Sequence, residues 1–182
     1  YTITVQAGVV NGKTFKPLRL TKDRLRGPRT LTHTITVTDP VLDQSPGLPE
    51  NWRDEMLDAV NFERELVGAP PVKMCKNLQK AAQRFAKYQA TENFYSHEGP
   101  DGSTVSSRAN AAGYRSWSRL GENIHKGPDS VSEAMAGWVA SPGHYSNLVN
   151  PALTHVGFGY VVNPDAWMGR LWVQNFGAGG KC

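Results

Sequence analysis

The spacing of apolar positions changes near residue 48 and divides the 182-residue chain into two parts. Before that point, residues 1–5 and 31–38 alternate apolar or β-branched residues with threonine, which is the period-two pattern of β-strands. Asn11-Gly12 favours a hairpin turn, because both residues tolerate a positive φ. The pattern predicts a β-rich N-terminal extension and linker over residues 1–48, with one apolar face that packs on the main domain.

After the proline-rich linker the apolar spacing becomes helical. Ser130 and Glu133 form the sequence pattern of a capping box, which predicts a helix start. Gly68 and Pro142 are typical residues at which helices stop. Four helices are predicted, over residues 51–67, 78–89, 103–112 and 130–141.

The last third of the chain carries the strand pattern of the main domain. Two apolar, aromatic runs, 156–162 and 171–176, flank the turn-forming sequence at residues 163–165, which indicates an antiparallel pair. Helices combined with late strands are typical of an α+β domain. We therefore predict one main domain over residues 49–182.

Charge and hydropathy exclude two classes of partner. The net charge is +4, but the basic residues are dispersed, and the denser basic stretch at 16–29 has no aromatic residue after Phe15 on which bases could stack. We expect no nucleic-acid binding. No run of about 18 apolar residues occurs, so no transmembrane segment is predicted.

The chain contains two cysteines, Cys75 and Cys182. Two cysteines allow a single disulfide, and a bridge that fastens the C-terminus suits an oxidising compartment. The alternative is a pair of unrelated thiols. The chain begins at Tyr1 without the pattern of a signal peptide, as expected of a processed secretory protein or of a shortened chain.

The histidines are the first candidates for chemistry, since imidazole ligates metals and titrates near neutral pH. Phosphate-binding loops, paired Cys-x-x-Cys, His-Glu-x-x-His and Gly-x-Ser-x-Gly motifs are missing from the sequence, so nucleotide binding, zinc fingers, that metalloprotease class and α/β-hydrolase chemistry have no support. Taken alone, each histidine is more typical of a structural or surface position. The candidates are His97, His125, His144 and His155.

A series of short motifs covers residues 50–177 in a fixed order and resembles the CAP superfamily of cysteine-rich secretory, antigen 5 and pathogenesis-related proteins, which share the SCP domain. The forms found here are closer to its disulfide-poor bacterial or fungal-like branch. The principal motifs are Tyr95-Ser96-His97-Glu98-Gly99, Arg108, Gly121-Glu122-Asn123-Ile124, Ser141-Pro142-Gly143-His144, His155-Val156-Gly157-Phe158 and Trp172-Val173-Gln174-Asn175-Phe176-Gly177.

The resemblance implies an α-β-α sandwich, in which a central antiparallel sheet lies between helical layers and carries an open cleft. It places His97, Glu122 and His144 in that cleft, where His97 and His144 would share a divalent metal such as zinc that the fold does not require. Ser141 occupies the position of a second glutamate found in many members. The alternative is a buried polar network that holds loops onto the sheet.

For the remaining candidates the resemblance gives less specific roles. His125 would lie at the rim of the cleft. His155 and His33 are interpreted as structural, and Trp117 as a packing aromatic.

The same resemblance implies a secreted, extracellular protein. We expect it to bind a small apolar ligand, lipid or sterol-like, or an extracellular partner in a defence or pathogenesis-related role. Two other hypotheses remain open, because one fold can carry unrelated functions. One is a metal-dependent hydrolase of peptide or cell-wall material, and the other is a non-catalytic interaction module. The sequence assigns no catalytic residue.

Overall fold

The computed structural model describes residues 48–182 and, nearer the N-terminus, the two short strands β1 (Val9–Val10) and β2 (Lys13–Thr14). The chain divides into two compact units, Tyr1–Gln44 and Ser45–Cys182. In the first unit β1 pairs antiparallel with β2, with Val10 opposite Lys13. This pairing confirms the predicted hairpin. The strands predicted at 1–5 and 31–38 lie outside the described residues.

The second unit contains the main domain. Its elements in chain order are α1 (Trp52–Leu66), β3 (Lys73–Met74), α2 (Lys76–Glu92), α3 (Val105–Ala112), β4 (Arg119–Lys126), α4 (Val131–Val139), α5 (Pro142–Leu148), β5 (His155–Asn163) and β6 (Gly169–Ala178). The four predicted helices and the pair β5–β6 are confirmed. Three elements were not predicted, namely β3, β4 and α5.

The strands of this unit form a four-stranded sheet in the order β3-β5-β6-β4. β6 pairs antiparallel with both β5 and β4, and only the two-residue strand β3 runs parallel to its neighbour. Helices α2 and α3 cover one face, whereas α1, α4 and α5 pack on the other. The predicted α+β fold, an α-β-α sandwich with a largely antiparallel sheet, is therefore confirmed.

Two glycines of β5 allow α2 to approach the sheet closely. Gly157 and Gly159 face this helix, and a Cβ at either position would overlap the backbone of Gln79 or Ala82. Side chains alternate across a strand, so Phe158 between them points to the opposite face. The glycines therefore set the distance between α2 and the central strands.

The larger part of the core lies between the sheet and the helices α1, α4 and α5. Burial of each large apolar side chain there contributes roughly 1.5–3 kcal/mol relative to its exposure. Five of the side chains in this cluster are Met56, Val60, Trp138, Phe158 and Trp172, each no more than 1% exposed.

The start of α4 differs from its prediction in one respect. The Ser130 hydroxyl accepts a hydrogen bond from the Glu133 backbone N–H, as in a capping box. The Glu133 carboxylate, however, accepts from the N–H of Asp129 at 2.9 Å rather than from that of Ser130. The second hydrogen bond of the predicted capping box is therefore wrong, because the Glu133 carboxylate bonds the residue before Ser130 instead of Ser130 itself.

A disulfide joins Cys75 to Cys182, with 5.0 Å between the two Cα atoms. Cys75 is buried at the N-cap of α2, so the bridge fastens the C-terminus to this helix. The adjacent backbone is held as well, since the Asn77 amide donates to the carbonyl of Lys181 at 3.0 Å. The predicted bridge is confirmed, and the alternative of two unrelated thiols is wrong.

Among the described residues, no helix combines the length and the apolar character needed to cross a bilayer.

Candidate functional site

The site is built around β4, which lies at one edge of the sheet and pairs with β6. Because strand side chains alternate, Glu122 shares the α2 face with Ile124, whereas Asn123 points to the face of α4 and α5. Side chains from both helical layers can therefore contact β4 at this edge of the sheet.

The Glu122 carboxylate is buried and fully engaged, with 3% of its side chain exposed. Arg108 donates to its Oε2 and Oε1 at 2.8 and 3.1 Å, and the His97 Nδ1 lies 2.9 Å from Oε1. With the Asn175 amide oriented to satisfy both of its neighbours, its nitrogen donates to Oε2 at 3.0 Å. These contacts meet the requirement that a buried carboxylate be paired and hydrogen-bonded.

Arg108 extends from α3 and connects the site to the loop that follows α2. Its guanidinium stacks on Phe85, 3.4 Å from the ring centroid, and donates to the backbone carbonyls of Ser103 and His97 at 2.8 and 3.0 Å. The same group therefore neutralises Glu122 and holds the backbone of His97.

His97 is the exposed end of this chain of contacts, with 58% of its side chain accessible. When the imidazole is neutral, the contact with Glu122 favours the tautomer in which Nδ1–H donates to the carboxylate. The Nε2 lone pair is then available to a ligand. A carboxylate behind a histidine is the arrangement that orients imidazole ligands in metal sites.

His144 lies on α5, on the opposite side of β4. The Asn123 amide donates to the His144 carbonyl at 3.1 Å, and Asn147 donates to the Glu122 carbonyl at 3.2 Å, so α5 is tied to the strand. Burial lowers the pKa of His144, and electrostatic interaction with the nearby His97 and His125 lowers it further. The imidazole is therefore neutral at pH 7, with a lone pair to donate.

The structure brings most of the candidate residues together. His97 contacts Glu122, and both His97 and His125 are close enough to His144 to lower its pKa. The His125 ring packs edge-on against Trp138, and its proximity to Gly137 leaves no room for a Cβ there.

Other candidates lie elsewhere. The His155 Nδ1 is 3.0 Å from the Tyr114 hydroxyl, and Trp117 donates to the Asn110 side chain of α3 at 2.9 Å. His33 is outside the described residues.

The sequence did not identify two partners of Glu122, namely Arg108 and Asn175. Both belong to motifs of the family series, but their residue types predict neither burial nor a shared partner. The sequence held a signal for Arg108 alone, since an arginine in a motif series that also contains a carboxylate is a candidate ion-pair partner.

The donor set restricts the metal that this site could hold. Within residues 48–182 and the two N-terminal strands, no group of three or more His, Cys, Asp or Glu side chains could hold a metal ion. The Glu122 oxygens already face Arg108, His97 and Asn175. The donors left for an ion here are therefore the imidazoles of His97 and His144, and Glu122 would act only through His97.

The sheet between α2 and α3 on one face and α1, α4 and α5 on the other is the arrangement of a CAP-type α-β-α domain. The family model described as CAP, the cysteine-rich secretory protein family, matches residues 57–176. The chain belongs to this family.

Two curated relatives match different lengths of the chain. The uncharacterised protein YkwD of Bacillus subtilis (strain 168) is 28% identical over 151 residues, which cover 83% of this chain and 54% of YkwD. The Golgi-associated plant pathogenesis-related protein 1 of Homo sapiens is 26% identical over 104 residues, which cover 55% of this chain and 66% of that protein. The chain thus spans about half to two thirds of the length of these relatives.

Solved structures show the same fold. An extracellular SCP-domain protein from Bacillus anthracis superimposes with a TM-score of 0.62 at 24% identity, covering 74% of this chain and 45% of that protein. An outer surface protein from Borrelia burgdorferi superimposes with a TM-score of 0.64 at 18% identity, covering 71% of this chain and 93% of that protein.

Proposed function

We propose that this chain is a secreted, extracellular binding domain whose cleft holds a divalent ion, such as zinc, between His97 and His144. The observation that carries the proposal is the Nδ1 contact of His97 with a carboxylate that Arg108 already neutralises. This contact directs the Nε2 lone pair away from Glu122. The lowered pKa of His144 adds a second neutral imidazole.

Secretion is supported by two observations. The Cys75–Cys182 disulfide suits an oxidising compartment. The Bacillus anthracis relative is described as extracellular.

Each residue of the site has a separate task in this proposal. Glu122 holds the His97 tautomer, and Arg108 occupies the carboxylate, so that Glu122 positions a ligand rather than acting as one. Asn123 and Asn147 hold α5, and with it His144, against β4. A bound ion would supply open coordination positions that a polar group of a ligand can fill.

The apolar ligand implied by the family resemblance has no comparable support at this site. The large apolar side chains exposed among the described residues are Leu66, Val67, Val162 and Trp167. None of them belongs to the His97–His144 cleft. A lipid or sterol-like ligand and a defence role therefore stay predictions, and extraction of bound lipid from the native protein tests the first.

Titration calorimetry with zinc at pH 7.5 tests the ion site directly. We expect His97→Ala and His144→Ala each to weaken binding at least about tenfold, because each removes one of two ligands. His155→Gln is the matched control and should bind as the wild type does. Binding should be lost below about pH 6, since protonated imidazole cannot ligate. Unchanged affinity in His144→Ala would contradict the proposal.

The hydrolase hypothesis is separated by assays on peptide and cell-wall substrates. An activity that disappears together with zinc in both histidine variants would replace the binding function with a metal-dependent hydrolase. Zinc binding without such an activity supports the proposal.

A further inference from the structure

Trp167 is the most exposed of the large apolar side chains among the described residues, with 60% of its surface accessible. It lies in the turn between β5 and β6. Its chain neighbours Ala166 and Met168 are 7% and 6% exposed and pack into an apolar cluster with Ala90 and Leu171. The turn is therefore anchored by the residues on either side of Trp167, and the indole ring is not needed for that packing.

Two hydrogen bonds to the C-terminal end of α2 fix the backbone that carries this ring. The backbone N–H of Trp167 donates to the Asn93 side chain at 3.1 Å, and the side-chain amide of Asn163 donates to the carbonyl of Ala90 at 2.9 Å. Asn163 also closes the turn locally by accepting from the N–H of Asp165 at 3.1 Å. An exposed aromatic on a fixed backbone loses little conformational freedom when a ligand binds.

A cation lies against one side of the ring. The Lys126 ammonium is 3.9 Å from the Trp167 centroid and 4.9 Å from that of Tyr95. The ion pairs found among the described residues do not include Lys126, whereas the nearby Arg170 pairs with Asp129 at 2.8 Å. The surface therefore combines a flat apolar ring with a positive charge that pairs with no carboxylate of the described residues.

We propose that Trp167 and Lys126 form a binding site for an acidic glycan. The apolar C–H face of a pyranose ring stacks on the exposed indole, and a carboxylate of the sugar pairs with the Lys126 ammonium. The site shares no residue with the pair His97 and His144, uses no metal and is independent of the function proposed above.

An anionic membrane is the main competing partner for a tryptophan beside a lysine. Membrane contact draws on a broad apolar face, as in amphipathic helices that lie in the interface. Here the ring is the single large aromatic exposed in its turn, and Asn163 and Asp165 flank it with polar groups. One exposed ring between two buried neighbours matches the face of a single sugar ring better than the broad apolar face that a bilayer requires, so we favour the glycan.

The test measures binding of two hexasaccharides by calorimetry in 50 mM salt with EDTA present. Hexagalacturonate supplies pyranose rings with carboxylates, and maltohexaose is the neutral match. We expect the wild type to prefer hexagalacturonate, Trp167→Ala to weaken its binding at least about tenfold, and Trp167→Phe to retain most of it. Lys126→Gln should remove the preference for the acidic sugar. Leu66→Ala, an exposed apolar control on α1, should change nothing.

Three outcomes would overturn the proposal. The first is no hexagalacturonate binding by the wild type, and the second is equal binding by Trp167→Ala. The third is Trp167-dependent binding to phosphatidylglycerol vesicles without sugar binding, which would assign the ring to a membrane. Thermal unfolding of each variant confirms that it is folded. Because EDTA is present, these results do not depend on zinc at the histidine cleft.

Discussion

Arg64 and Arg108 are both almost completely removed from solvent, but their surroundings differ. The Arg64 side chain extends from α1, and burial lowers its pKa. Among the described residues it donates to backbone carbonyls alone, those of Pro70, Leu148, Asn150 and Leu153, at 2.6–3.0 Å. Arg108 instead meets the Glu122 carboxylate, which in turn contacts the exposed ring of His97.

Burial of a charged side chain therefore does not by itself identify a functional site. The carbonyls around Arg64 belong to the last residue of α5 and to loops, and the guanidinium is a clamp that joins α1 to the end of α5 and the segment that follows it. Around Arg108 the contacts continue from one charged group to another and end at an imidazole in contact with solvent. What makes Arg108 part of a candidate site is this series of contacts that ends at an exposed imidazole, and not its burial.

The largest expected effect comes from Arg64→Met. The substitution leaves four carbonyls without their donor, and an unsatisfied buried acceptor costs about 1–3 kcal/mol, so we expect a loss of about 3–5 kcal/mol in the free energy of unfolding. Arg64→Lys should recover little, because one ammonium cannot reach all four carbonyls. Denaturant unfolding measures both. A loss below about 1 kcal/mol for Arg64→Met would show that the clamp is dispensable.

Arg108→Met should destabilise the protein by about 2–3 kcal/mol, since it leaves the Glu122 carboxylate buried with fewer partners. Replacing the carboxylate as well, in Arg108→Met/Glu122→Gln, should restore part of this loss. A double-mutant cycle built with Glu122→Gln measures the coupling, which we expect at about 1–3 kcal/mol. Additive losses would mean that the two side chains do not act as a pair.

The two arginine regions should also differ in their effect on zinc. Glu122→Ala should weaken zinc binding about 10–100-fold, the usual effect of removing the partner of a histidine ligand. Arg64→Met, measured at a temperature at which it is fully folded, should bind within about twofold of the wild type. Calorimetry on both variants checks this, and equal weakening would remove the distinction between clamp and site.

The smallest expected effect concerns His144 and pH. Its pKa in the folded protein is lowered, chiefly by burial, so the unfolded chain takes up a proton first as the pH falls. The stabilisation is therefore present above the unfolded pKa of about 6.5 and is lost as the pH falls through the folded pKa. In EDTA, His144→Asn should show a shallower loss of stability between about pH 7 and pH 5. Identical slopes would indicate that His144 is not desolvated.

Local patterns were sufficient to predict several parts of the fold. The helical spacing of apolar residues predicted α1 and α2, and two apolar runs around a turn predicted β5 and β6. Strand β4 escaped prediction because polar residues fill two of its three buried positions, next to Ile124. Glu122 and Asn123 are 8% and 0% exposed, and side-chain hydrogen bonds rather than apolar contacts satisfy them.

The sequence by itself determined which faces of the longer elements are apolar, the positions of the two late strands and a single available disulfide pairing. The motif series also supplied His97, Glu122 and His144 as candidates. Only the tertiary structure decided that Arg108 and Asn175 complete the surroundings of Glu122, and that His97 and His144 approach β4 from opposite sides. The physical reason is that the spacing of apolar residues shows which face of one helix or strand is buried. A charged pair, in contrast, forms only where the order of strands brings separate elements together.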